Sequence, residues 1–241
     1  MNFWIIFILF FFPLIGGITA TLIKDEKHIQ LKLFLAFSGA FLISVCSLNI
    51  LPEIYHHGGE SIGYYVLAGF FLQIIIDQFS KGIEHGHLHL HEVNQVPYSV
   101  FIALSAHAFM EGMGVGANIF EKQVQNNFVF GIALHEIPAA FALISVLKHS
   151  RKDSKFIYVW LIAYALMVPS GALLSHLLKL NDFVDSQFFY GLMAVVAGVF
   201  LHISTTILFE NSDNHKITRL KLISIAAGVS LALLAANFHL D

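Results

Sequence analysis

Apolar runs about as long as a bilayer is thick, repeated from one end of this chain to the other, leave it little choice of fold. Taking about 20 apolar residues as one helical span, eight can be drawn. They are Phe3 to Ile23, Leu33 to Tyr55, Ile62 to Phe79, Tyr98 to Phe120, Asn127 to Leu147, Phe156 to Leu178, Phe188 to Leu208 and Leu220 to Phe238. A soluble core breaks such runs into amphipathic stripes, and a soluble domain carries about 25% charged residues. Here only 12% are charged and the mean hydropathy is +0.74. The expectation is an all-α polytopic membrane protein, a single transmembrane domain over residues 1–241 with short connections. Met1 to Phe12 holds no Lys or Arg, so the first run reads as a span and not as a signal peptide, whose leading region is positive.

Orientation follows from the basic residues. Lys24, Lys27 and Lys32 follow the first span, Lys81 the third, Lys148, Arg151, Lys152 and Lys155 the fifth, and Lys216, Arg219 and Lys221 the seventh. That puts eleven of thirteen on one side, against Lys122 and Lys179 on the other. The basic side is cytoplasmic by this rule, so both termini point away from the cytoplasm. The asymmetry also supports the span count, and a weak internal likeness points to a repeat. Gly39-Ala40-Phe41-Leu42 followed by Ile50-Leu51-Pro52-Glu53 in span two is echoed, with a two-residue slip, by Gly198-Val199-Phe200-Leu201 followed by Ile207-Leu208-Phe209-Glu210 in span seven. Those spans run in opposite directions, as an inverted-topology repeat requires.

A net charge of -3 describes no large basic surface, which excludes nucleic acid as a partner. Fourteen His against thirteen Lys plus Arg is a strong bias toward the side chain that both ligates metals and titrates near neutrality. Cys46 is the only cysteine, so neither an internal disulfide nor a thiolate-rich metal site exists. A bound metal must use nitrogen and oxygen.

Ionisable groups deep in a span are costly and mostly line pathways. In span four, His107 and Glu111 are four apart, on one helical face one turn from each other, and can share one cation. An imidazole with a carboxylate suits Zn, Mn or Fe(II), whereas Mg and Ca prefer all-oxygen shells. In span five, His135 and Glu136 are adjacent and point about 100° apart on a regular helix. His135 is the direct ligand on this reading, and Glu136 a secondary ligand or an acceptor that fixes an imidazole. Pro138 leaves the Leu134 carbonyl without its helical partner, which can kink the helix beside the pair. Gly112, Gly114 and Gly116 read as packing glycines that bring span four against span five.

The connection after span three, residues 81–97, carries His85, His87, His89 and His91 at every second position. Such a tract is compositional evidence for metal capture and release. Asn49, Glu53, Asp77, His202, Glu210 and His215 are lesser candidates. Each taken alone reads as a satisfied polar or interfacial group.

Two other functions compete. An intramembrane metal-dependent hydrolase could use Glu136 as its base, although the H-E-x-x-H protease motif fails because Ala139 stands at its second histidine. A membrane sensor binding metal, or haem through paired histidines, is the other.

At these residues the chain resembles the ZIP, or Zrt/Irt-like, family of metal-ion transporters. His107-Ala108-Phe109-Met110-Glu111-Gly112 is similar to the family's His-Asn-Phe-x-Asp/Glu-Gly, and His135-Glu136-Ile137-Pro138-Ala139-Ala140 to His-Glu-Ile-Pro-His-Glu. Leu51-Pro52-Glu53, the His-rich third loop and Gly198-Val199-Phe200-Leu201 also look like family features. The resemblance implies a bundle of three, two and three helices with a pseudo-twofold relation. It also implies passage of a divalent metal, zinc before Fe, Mn or Cd, into the cytoplasm; the cytoplasmic (inner) membrane is expected from the chain's size and lack of appended domains. Family ligands fall on His107, Glu111, His135 and Glu136. Ala108 and Ala139 depart from the pattern, which predicts one metal per transport site. The metal is substrate, and no organic cofactor is expected. The expected partners are the metal ion and the lipid bilayer, with a homodimer allowed for.

Overall fold

The computed structural model describes residues 2–23, 28–80, 98–150, 153–181, 184–210 and 218–237. They form ten α-helices and one π turn, and among the described residues there is no strand. The helices are α1 (Phe3–Leu22), α2 (His28–Val45), α3 (Leu51–Gly58), α4 (Ile62–Ser80), α5 (Tyr98–Ala117), α6 (Lys122–Ser150), α7 (Ser154–Ala165), α8 (Met167–Leu180), α9 (Ser186–Glu210) and α10 (Arg219–Asn237). The π turn, Cys46–Ile50, joins α2 to α3 into one crossing, and α7 with α8 makes another. Eight stretches are therefore long and apolar enough to cross a membrane. Each coincides with a run read from the sequence. The protein is an all-α multi-pass membrane protein.

Prolines decide where crossings are interrupted. Pro52 has no N–H to give the Leu48 carbonyl, and just before it the ladder widens, with the Leu51 N–H reaching the Cys46 carbonyl. Pro169 likewise offers nothing to the Ala165 carbonyl. There α7 stops and α8 begins, the bonds from Leu166 N to Ile162 O and from Ser170 N to Leu166 O bracketing the break. Pro138 behaves differently: α6 runs unbroken through it, so the expected disturbance beside His135 does not interrupt the helix.

Lipid tails give helices no hydrophobic reason to associate, so close backbone approach through small residues does much of the work. The tightest pairs are α5 with α8, α1 with α6, α4 with α9, and α2 with α10. Glycines face carbonyls in all four: Gly112 and Gly116 meet Val168 and Ala172, Gly171 meets Phe109, Gly16 meets Ile137, Gly69 meets Val195, Gly198 meets Val66, and Gly228 meets Phe37. This corrects one expectation. Gly112 and Gly116, one turn apart, close α5 onto α8 and not onto α6. Gly114 lies on another face, against Phe128 and Met193 side chains.

Contacts at the helix ends fix which ends share a side. Lys148 near the end of α6 donates to the carbonyls of Ala20, Thr21 and Ile23 at the end of α1. Lys179 near the end of α8 donates to Ala117 and Asn118 at the end of α5. The Gln187 amide at the start of α9 donates to the Gly58 carbonyl at the end of α3. These pairings are those of an alternating chain with the ends of spans one and five together and those of four and six opposite. In the middle sit α5 and α6, largely buried, while α4 and α10 are mostly turned outward.

Candidate metal site

The two central helices bring the predicted ligands together. His107 and Glu111 lie one turn apart on α5, with His107 Nε2 2.9 Å from Glu111 Oε1. From α6, the His135 ring stands edge-on to that of His107, centroids 5.7 Å apart and planes at 87°. One ligand atom from each of His107, Glu111 and His135 lies within 4.8 Å of the other two. A tetrahedral zinc shell with bonds of about 2.1 Å places its donors roughly 3.4 Å apart, so closing the triad takes side-chain adjustments of about an ångström.

All four candidate ligands are buried, none more than 1% exposed. Glu136 lies near Glu111, with Tyr164 and His107 also close by. Adjacent residues on a helix point different ways, and here His135 belongs to the triad while Glu136 does not. Among the described residues no other group of three His, Cys, Asp or Glu side chains converges in this way. Two buried imidazoles and two carboxylates from facing helices offer a dehydrated cation both charge compensation and donors, without which burial is prohibitive.

The glycine seams hold this geometry. Gly171 of α8 sits on the Phe109 carbonyl and Gly16 of α1 on the Ile137 carbonyl, each two residues past a candidate histidine. Ala108 and Ala139, where the resembled family carries polar side chains, are buried here and supply no donor.

Other sequence candidates fall elsewhere. Asp77 of α4 pairs with His202 of α9, Oδ2 to Nδ1 3.3 Å, and its other oxygen accepts from the buried Gln73 amide at 2.8 Å. Glu53 pairs with His57 at the end of α3, 3.4 Å apart. Neither pair belongs to the α5–α6 triad. His85, His87, His89, His91 and His215 lie outside the described residues. Tyr164 escaped notice, because a tyrosine in an apolar span carries no signal of its own.

A sequence model of the ZIP zinc transporter family matches residues 81–236, well over half of the chain and both motif-bearing helices. The chain belongs to the ZIP family. Its relatives include protein zntD of Dictyostelium discoideum, 28% identical over 56% of this chain and 22% of zntD. Zinc transporter ZIP9 of Micropogonias undulatus is 29% identical over 48% of this chain and 39% of its own length, and ZIP9 of Xenopus tropicalis is 27% identical over 48% and 40%. The chain thus spans about a fifth to two fifths of the relatives it matches. The family model that matches is described as a zinc transporter, not as a hydrolase.

Proposed function

We propose that this protein carries a divalent metal ion, zinc first, into the cytoplasm across the cytoplasmic membrane through a site made by His107, Glu111 and His135 with Glu136 in support. The observation that carries the reading is the triad itself: nitrogen and oxygen donors from two central helices, fully buried in a protein of eight spans. Glu111 offsets the cation's charge where an unpaired charge costs several kcal/mol. His107 and His135 give the site its preference for borderline metals over Mg and Ca. Glu136, beside Glu111 and outside the triad, supports the ligand set. Ala108 and Ala139 bring no further donors, so one ion occupies the site at a time.

The 3+2+3 arrangement with both termini outside is part of the proposal. Exchange span one with six, two with seven, three with eight and four with five. The α5–α8 pair then becomes α6–α1, and α4–α9 becomes α10–α2, which are the four tightest pairs. The same exchange turns Gly16 on Ile137 into Gly171 on Phe109, and Gly69 on Val195 into Gly228 on Phe37. It also sets His135 over His107, and Ala139 over Glu111. A pseudo-twofold relation of this kind supports alternating exposure of a midplane site. The basic residues place the ends of spans one, three, five and seven on the cytoplasmic side.

Competition uptake in proteoliposomes tests the substrate. Saturable zinc entry, suppressed by cadmium and untouched by excess magnesium, is the result expected. Uptake blocked by magnesium, or none at all, contradicts the assignment.

A further inference from the structure

Among the described residues, Lys148, Lys179 and Lys221 cap the ends of neighbouring helices. Lys148 of α6 donates to the last carbonyls of α1, Lys179 of α8 to those around the end of α5, and Lys221 of α10 to Leu208 of α9. The packing sorts the helices into two sets: α1, α5, α6 and α8 pack chiefly on one another, as do α2, α4, α9 and α10. Each lysine cap stays inside one set. A fourth helix end is capped by amides and not by a lysine, as the end of α3 is by Gln187, but across the two sets. The Gln123 amide of α6 donates to the carbonyls of Ala235 and Ala236 at 3.1 and 3.0 Å, and the Asn127 amide to Ala235 at 3.3 Å. Those carbonyls belong to the last turn of α10, which has no intrahelical donors for them. This cap joins the two sets, and its donors are neutral.

The difference in donor chemistry has a mechanical meaning. A charged donor makes a hydrogen bond roughly twice as strong as a neutral one. A cap made across the two sets by neutral amides therefore parts more readily than a lysine in the same place would. Gln123 and Asn127 lie one turn apart on α6, and His135 follows Asn127 on the same helix by eight residues, about 12 Å at 1.5 Å per residue. The triad is sealed, with its members at most 1% exposed, so an ion reaches it only after neighbouring helices separate.

We propose that Gln123 and Asn127 are positioning residues that form a releasable latch between α6 and the end of α10, closing the access path at that face of the molecule and opening once in each transport cycle. This rests on the transport reading above.

The test uses the full chain in proteoliposomes with Cys46→Ala, Asn127→Cys and Ala235→Cys. The two thiols are joined by a short bis-methanethiosulfonate linker, with loss of free thiol confirming the link. Linked protein is expected to take up zinc at least tenfold more slowly than the same sample after reduction. Equal uptake before and after reduction overturns the latch while leaving transport intact. If the unaltered protein shows no saturable zinc uptake, the transport reading falls and the latch with it. A second pair of variants separates a latch from a merely structural contact. Gln123→Lys installs a charged donor like those at the lysine-capped ends, and is expected to slow uptake severalfold while thermal stability holds or rises. Gln123→Leu is expected to lower stability without slowing uptake. If Gln123→Leu lowers stability and uptake together and Gln123→Lys leaves uptake unchanged, the contact is structural and the proposal fails.

Discussion

Gly16→Ala is the sharpest probe of how the site is held. A Cβ at Gly16 falls 2.0 Å from the carbonyl oxygen of Ile137, two residues past His135. The neighbour is backbone and cannot swing aside. Relieving the overlap to a contact of about 3.5 Å moves α1 and α6 apart by roughly 1.5 Å along that line. Overpacking of this kind costs about 1–3 kcal/mol. Part of it falls on His135, whose donor must stay within about an ångström of its place for the triad to close. A zinc Kd about tenfold weaker corresponds to some 1.4 kcal/mol of that strain. The assay is zinc binding and thermal unfolding of the purified protein, run beside Gly171→Ala and Gly191→Ala. A Cβ at Gly171 falls 2.1 Å from the Phe109 carbonyl oxygen, whereas one at Gly191 touches only the Tyr65 ring at 3.6 Å. Gly171→Ala should match Gly16→Ala, and Gly191→Ala should be neutral or slightly stabilising, because alanine is the better helix former. If Gly16→Ala keeps both the melting temperature and the zinc affinity of the unaltered protein, the close α1–α6 seam does not set the site and the reasoning fails.

Lys148→Met removes three contacts to the end of α1 and should cost about 1.5–3 kcal/mol, the worth of a hydrogen bond to a charged group, seen as a lower melting temperature with zinc affinity kept. Asp77→Ala strips both His202 and the Gln73 amide of a partner in a poorly exposed setting, and should destabilise by about 1–3 kcal/mol without altering the number of ions bound. With His85, His87, His89 and His91 all replaced by alanine, the purified protein should bind one zinc ion per chain by elemental analysis. Two ions per chain would contradict the reading of Ala108 and Ala139 as lost donors.

The spans were legible because length and apolarity alone specify them, and no partner helix is needed to read twenty apolar residues. The triad was legible for a similar reason: His107 and Glu111 share a face at four-residue spacing, and intramembrane histidines stand out against an apolar background. What the sequence left open concerns relations between helices. Gly112 and Gly116 announced a close contact but not that α8, and not α6, would fill it. Pro138 and Pro169 look alike in one dimension, yet α6 continues through the first while the crossing breaks at the second. The outcome depends on what surrounds each freed carbonyl. Asp77 and His202, far apart in the chain, looked like solitary candidates and turn out to be each other's partner. Gln123 and Asn127 carry no motif. Their role comes only from the end of α10 lying against them.

The most direct test of the central claim is zinc uptake and zinc binding measured on the same proteoliposomes, for the unaltered protein and for Glu111→Ala with insertion of both confirmed. Saturable uptake and stoichiometric binding that disappear together in the variant are the predicted result. Uptake that persists undiminished without the Glu111 carboxylate would mean that the ion crosses by another route, and that the buried triad is not the transport site.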